Sequence, residues 1–167
     1  MAMLCGFLAA ACCWDYKIRR IPNFLIGLMA IAGAGLQWLQ GGSQGMLCYA
    51  GKALAVAGFL YPLFRIGALG AGDIKLYGAA AGYLPFSKVF PFLFFSLLVA
   101  AFFSFLKMLT QRYFAERMKY FFSYLAEVAA SGSWKLYLEN ERERAAAGIC
   151  LAGPALISVI LYLGGAY

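Results

Sequence analysis

The sequence predicts an all-α, polytopic membrane protein with six transmembrane helices. Its 167 residues are 64% hydrophobic and 13% charged, and the mean hydropathy is +0.77. Apolar runs of roughly 15 to 22 residues recur along the chain, close to the ~20 residues that an α-helix needs to cross a bilayer. The runs cover residues 1–16, 24–40, 46–66, about 73–86, 88–109 and 147–166.

The borders of these predicted helices have local causes. Residues 1–14 lack the basic region of a signal peptide and have no clear cleavage site, so we expect a first membrane helix there. Pro22 breaks the chain before the second helix, and Asn23 is suited to cap that helix. The uncharged loop Gly41–Gly45 separates the second and third helices, and Pro85 marks the turn between the fourth and the fifth.

We expect one membrane-embedded domain over residues 1–167, in which residues 110–146 form a cytoplasmic, interfacial insert between the fifth and sixth helices. Apolar side chains recur there at helical spacing, with charged side chains on the remaining face, which predicts an amphipathic helix on the membrane surface. A lid or a substrate-docking role for this insert stays open. The apolar positions are Phe114, Met118, Phe121, Leu125 and Val128.

The basic residues indicate how the helices are oriented. The chain carries 14 Lys and Arg residues against 7 Asp and Glu residues. The basic residues flank apolar runs, so they fit the positive-inside rule better than a nucleic-acid-binding surface. All but two of them fall on one predicted side; Lys88 falls on the other side, and Lys52 lies inside the third run and is assigned no role. We therefore expect both termini on the outer face and no nucleic-acid partner.

Histidine is absent from the sequence, which excludes histidine-based triads and histidine-ligated metals. Acid–base chemistry must then come from carboxylates, lysine, tyrosine or cysteine. The five cysteines lie within apolar runs and show no CxxC spacing, so we interpret them as small buried hydrophobic residues and expect neither a metal nor a cofactor. They are Cys5, Cys12, Cys13, Cys48 and Cys150.

Asp15 and Asp73 are the only two aspartates in the chain, and each lies at the edge of an apolar run. A carboxylate at membrane depth is costly, which makes it a candidate for a functional site. The predicted topology brings both to the cytoplasmic face, because Asp15 ends an inward-running helix and Asp73 begins an outward-running one. The sequence around Asp15 is equally compatible with a solvated carboxylate that pairs with Lys17 or Arg19.

Gly70 and Gly72 stand three residues and one residue before Asp73, and together they form a GxGD element. Because glycine has no Cβ, the backbone here can unwind and approach a neighbouring helix or an extended substrate. Further along the same run, Gly78 and Gly82 bracket a face of small residues. That face predicts close helix packing.

Two sequence motifs occur together in this chain. Asp15 is followed after five residues by an Ile-Pro-Asn triplet (residues 21–23), and GxGDxKL (residues 70–76) follows about fifty residues later. The combination resembles the type IV prepilin peptidases, which are GxGD intramembrane aspartyl proteases. The resemblance implies that Asp15 and Asp73 are the catalytic pair, with Gly70, Gly72 and Lys75 as supporting motif residues.

The same resemblance implies a substrate and a location. The substrate would be a prepilin-like precursor of a type IV pilus or related secretion system, whose short basic leader is removed at the cytoplasmic face of the inner membrane. A short, peptidase-only form is expected, without the amino-terminal methylase domain and its paired cysteines that many members carry.

Several alternatives stay open. Lys75 could hold a carboxylate ionised or contact the substrate, or it could snorkel to the interface. Archaeal preflagellin peptidases and presenilin-like proteases share the GxGD element and are alternatives of the same chemistry. An alternative of another class is a small membrane transporter that uses the two aspartates as an ion or proton relay. A membrane scaffold would need neither aspartate.

Overall fold

A computed structural model describes residues 1–18, 21–65, 67–110, 119, 123 and 151–167. Within these residues the protein is all-helical, which confirms the prediction of an all-α protein. The predicted insert lies almost entirely outside the described residues. The helices of the described part are α1 (Ala2–Ile18), α2 (Asn23–Arg65), α3 (Ala71–Tyr83), α4 (Phe86–Thr110) and α5 (Ala152–Leu163).

Two helices of the described part have the length and hydropathy of a membrane crossing. They are α2 and the segment Phe86–Lys107 of α4, with mean hydropathies of 1.4 and 2.4. α5 is also apolar but shorter. Large apolar side chains on these helices point outward, for example Leu54 at 73% and Phe90 at 67% exposure. A bilayer would cover this apolar surface, which is unusual for a protein in water.

α2 is divided at Gly42, where the backbone has φ 58° and ψ −144°. A positive φ is accessible to glycine at little cost, and here it separates an arm over residues 23–41 from an arm over residues 43–65. The two arms fold back on each other, because a Cβ added at Gly33 would lie 2.6 Å from the ring of Tyr49. In a straight helix these residues would be about 24 Å apart. The predicted loop Gly41–Gly45 is thus a tight turn.

α3 lies in the interior, and every residue from Leu76 to Gly82 is buried. A Cβ added at Gly78 would be 3.1 Å from the carbonyl oxygen of Ala53 in α2, and Gly82 lies directly against the ring of Tyr49. Glycine allows the two helices to approach closely at both positions. This confirms the close helix packing that the sequence predicts for Gly78 and Gly82.

α3 ends at Tyr83, before the border that the sequence predicts near residue 86. The proline ring of Pro85 disfavours a helical conformation in the preceding residue, and Leu84 is extended, with φ −89° and ψ 151°. The helix therefore has 13 residues, which makes it about 20 Å long at ~1.5 Å per residue.

α4 and α5 complete the bundle around α3 and α1. The hydroxyl groups of Tyr77 in α3 and Ser96 in α4 form a buried hydrogen bond. The ring of Tyr77 also packs against Phe92, with ring centroids 5.7 Å apart. Ser158 of α5 donates a hydrogen bond of 3.0 Å to the carbonyl oxygen of Phe92. These contacts join three helices, and α5 packs in addition against α1.

Candidate active site

The two aspartates lie at the same end of the bundle. Asp15 is near the carboxyl end of α1 and is only 7% exposed, whereas Asp73 is in the first turn of α3 and is half-buried. The negative charge of Asp15 acts on Asp73, so the two carboxyl groups are within electrostatic reach of each other. The structure thus brings together the two residues that the sequence singles out as a pair.

The position of Asp15 follows from the packing of α1. The buried residues of that helix are Leu4, Leu8, Ala11 and Asp15, which recur at the spacing of one helix face. That face turns towards the rest of the protein and carries Asp15 inward with the apolar residues. Asp15 is accordingly a buried helix residue and not the solvated loop carboxylate that its own segment also permitted.

The carboxylate of Asp73 is oriented by the start of its own helix. Its Oδ2 atom accepts a hydrogen bond of 3.2 Å from the backbone N–H of Gly70. A carboxylate at this position satisfies an N–H group that has no partner within the helix. A Cβ at Gly70 would lie 2.9 Å from the same oxygen, whereas a Cβ at Gly72 would have no atom of the described residues within 4 Å. The first glycine therefore accommodates the aspartate, and the second borders open space.

Lys75 connects the two sequence motifs. Its side chain is exposed, and its Nζ atom donates a hydrogen bond of 3.4 Å to Oδ1 of Asn23. Asn23 begins α2 directly after Pro22, whose carbonyl oxygen accepts the N–H groups of Leu25 and Ile26. The bond between Lys75 and Asn23 was not among the roles that the sequence suggested for the lysine. It ties the first turn of α2 to the first turn of α3.

Sequence reasoning also missed a polar cluster at the other end of α3. Lys52, which lies inside an apolar run and was assigned no role, donates hydrogen bonds to the carbonyl oxygens of Gly82 and Leu84. Tyr49 of the same arm donates to Ala79. A lysine within an apolar helix was the available signal, but its partners are about thirty residues away in the chain.

The described residues include no group of three or more histidine, cysteine, aspartate or glutamate side chains that could hold a metal ion. Four of the cysteines are free thiols, and the burial predicted for them is wrong, because the helix faces that carry them are not turned fully into the core: Cys5 and Cys12 are partly exposed, and Cys13 and Cys48 are exposed. Cys150 lies outside the described residues.

These features define a class: a helical membrane protein with two interacting carboxyl groups at one end of its bundle. Residues 2–105, which include both aspartates and most of α1 to α4, match the type IV leader peptidase family. The match covers more than half of the chain, so the protein belongs to this family and is a protease. No match to the chain was found among curated proteins or among solved structures.

Proposed function

We propose that the protein is an intramembrane aspartyl endopeptidase that removes the short basic leader of type IV prepilin-like precursors. Asp15 and Asp73 are its catalytic pair. The observation that carries the proposal is the proximity of the two carboxyl groups. The only two aspartates of the chain come from different helices and lie within electrostatic reach of each other. Membership of the leader peptidase family supports the reaction class.

Peptide hydrolysis by two carboxyl groups requires them to be in different protonation states. One is ionised and takes a proton from the attacking water, while the other is protonated and polarises the scissile carbonyl before it protonates the leaving amine. Proximity produces this asymmetry, because two like charges a few ångströms apart share one proton instead of both ionising. The N–H of Gly70 holds one oxygen of Asp73 and thereby orients the other.

The open space at Gly72 supports a path for the substrate. A protease must bind the scissile segment as an extended chain beside its catalytic groups, and among the residues that the structure describes no atom lies within 4 Å of a Cβ built at Gly72. Gly72 immediately precedes Asp73 in the sequence, so a substrate backbone in this space would lie next to the carboxyl pair. Gly72 is then the position at which a larger side chain would obstruct substrate.

We further propose six membrane crossings, with the active site at the cytoplasmic face of the inner membrane and both termini on the outer face. The turn at Gly42 supports this count, since it divides α2 into two antiparallel arms. The orientation is supported by three basic residues close in sequence to the two aspartates. Lys17 is in the last turn of α1, Arg65 is in the last turn of α2, and Lys75 is near the start of α3. An excess of basic residues is typical of the cytoplasmic side.

The test is co-expression with a candidate prepilin, scored by removal of its leader. Asp15→Asn and Asp73→Asn should each reduce cleavage about 100- to 10,000-fold, the usual contribution of a general acid or base. Tyr16→Phe is a matched control, because Tyr16 adjoins Asp15 and is 83% exposed. Normal processing by either asparagine variant would exclude the mechanism. Processing lost in both, with folding intact, would exclude a transporter or a scaffold.

The sharing of one proton between Asp15 and Asp73 can be tested separately, by the pH dependence of cleavage. Cleavage by the purified protein should vary with pH across the acidic to neutral range, because activity requires the singly protonated pair. The rate is measured on a peptide that contains the leader junction, in detergent, at constant ionic strength. A flat profile would contradict the coupled carboxyl pair even if both aspartates proved essential.

A further inference from the structure

The carboxyl end of α3 poses a problem for a membrane protein. The helix is 13 residues long, about 20 Å, whereas the hydrocarbon core is ~30 Å thick. If Asp73 lies at the cytoplasmic face, as proposed above, then Tyr83 lies within the hydrocarbon. Leu84 leaves the helix in an extended conformation and Pro85 has no N–H. The last carbonyl groups of α3 thus end where no water can satisfy them.

Side chains of α2 provide the missing donors. The Nζ atom of Lys52 donates to the carbonyl oxygens of Gly82 at 2.9 Å and Leu84 at 2.7 Å. The Gln37 amide donates to Gly82 at 3.5 Å, and the Tyr49 hydroxyl adds a hydrogen bond of 3.0 Å to Ala79, one residue before the last four carbonyl groups of the helix. The donors come from both arms of α2 and converge on one helix end.

This arrangement also explains why a lysine is tolerated inside an apolar helix. A cation at membrane depth is costly unless something compensates its charge. The carboxyl end of a helix carries a partial negative charge from its unpaired carbonyl groups. The amine of Lys52 binds this end of α3 through two short hydrogen bonds. The cation and the helix end compensate each other.

We propose that Lys52 is a positioning residue: by capping α3 inside the membrane it fixes the depth of that helix, and with it the place of Asp73 opposite Asp15. The inference rests on the proposed function, because it assigns Lys52 to the same active site. α3 is unbroken between Asp73 and Gly82, so a shift at one end is carried to the other. Without Lys52, the carbonyl groups would have to reach water, either by sliding of α3 or by unwinding of its last turn.

The kinetic test compares three variants of the full-length protein. Lys52→Met keeps the length of the side chain but removes its donors, Lys52→Arg keeps the cation, and Lys88→Met removes a lysine from the same proposed side of the membrane. We expect Lys52→Met to lower kcat about 100-fold with little change in KM, the loss that a misplacement of ~1 Å produces. Lys52→Arg should recover most of kcat, and Lys88→Met should match the unmodified protein. A raised KM with unchanged kcat would overturn the proposal.

A second readout needs no peptidase activity. In a chain whose native cysteines are replaced by serine, Asp15→Cys and Asp73→Cys are joined by a short bis-maleimide, and the rate of cross-linking is measured. Adding Lys52→Met should slow cross-linking, while adding Lys88→Met should not. Equal rates would refute the positioning role. A slowed rate, combined with no prepilin cleavage by the protein that keeps both aspartates, would support positioning and refute the proposed function. If Lys52→Met does not fold, Lys52→Gln, which keeps a donor but no charge, takes its place.

Discussion

A single methyl group at Gly33 should destabilise the α2 hairpin. The Cβ of an alanine at this position would lie 2.6 Å from Cε2 of Tyr49 and 2.7 Å from Cε2 of Tyr83. Normal contacts between carbon atoms are about 3.5 to 4.0 Å, so each ring would have to retreat by about 1 Å. Gly35 is the matched control, because it belongs to the same arm and a Cβ there would meet no atom within 4 Å.

Neither ring can retreat freely. The hydroxyl of Tyr49 donates to the carbonyl oxygen of Ala79 at 3.0 Å, and that of Tyr83 donates to Met29 at 2.6 Å. Overpacking costs about 1 to 3 kcal/mol, and the loss of one of these hydrogen bonds adds about 1 kcal/mol. The gain of about 1 kcal/mol from replacing glycine in a helix is common to both variants. Gly33→Ala should therefore be less stable than Gly35→Ala by about 2 to 4 kcal/mol.

The comparison is made on purified protein in detergent, with the free energy of unfolding taken from SDS titrations followed by circular dichroism. Gly35→Ala should equal or exceed the unmodified protein, and Gly33→Ala should fall well below it. If the two alanine variants have the same free energy of unfolding, then Tyr49 and Tyr83 do not pack against Gly33. The antiparallel arrangement of the two arms would then be refuted as well.

Two further predictions concern hydrogen bonds between helices. Lys75→Met and Asn23→Ala should reduce kcat/KM by similar factors, since each removes the same hydrogen bond. The double variant should lose no more than either single variant. Additive losses in this double-mutant cycle would show that Lys75 acts through a group other than Asn23. Tyr77→Phe should lower the free energy of unfolding by about 1 to 3 kcal/mol, because it leaves the buried hydroxyl of Ser96 without its partner. Adding Ser96→Ala should restore part of that loss, and a further loss instead would contradict the bond.

The parts of the structure that depend on local sequence were predictable. Hydropathy predicted the helices of the described residues. The glycines at 78 and 82 predicted close packing of their helix against a neighbour, which the structure identifies as α2. The prediction that Asp15 and Asp73 lie at the same end of the bundle followed from counting the helices predicted between them. The burial of Asp15 was left open by its own segment, and only the packing of α1 showed that it continues the apolar face of that helix.

The polar contacts between distant segments were not predictable. Lys52 bonds to carbonyl groups, which every residue possesses, so nothing in the sequence marks Gly82 and Leu84 as its partners. The bond from Lys75 to Asn23 joins two motifs whose side chains each had plausible local roles. Hydropathy records that a polar residue lies in an apolar run, but the partner that compensates it depends on the register between helices.

The short length of α3 explains why a charged lysine is present at position 52, and the lysine explains how so short a helix can end where it does. Had α3 crossed the full hydrocarbon core, its carboxyl end would have reached the headgroups, where water satisfies the carbonyl groups, and a lysine at position 52 would only have been a cost. Because α3 ends before Pro85 and has only 13 residues, in the proposed topology its end stays inside the membrane and requires donors there. The same helix begins with a carboxylate held by its own first turn. A short helix that begins with a hydrogen-bonded carboxyl group and ends on a lysine is a suitable support for a catalytic group, since in the proposed topology neither end can move without exposing a polar group to lipid.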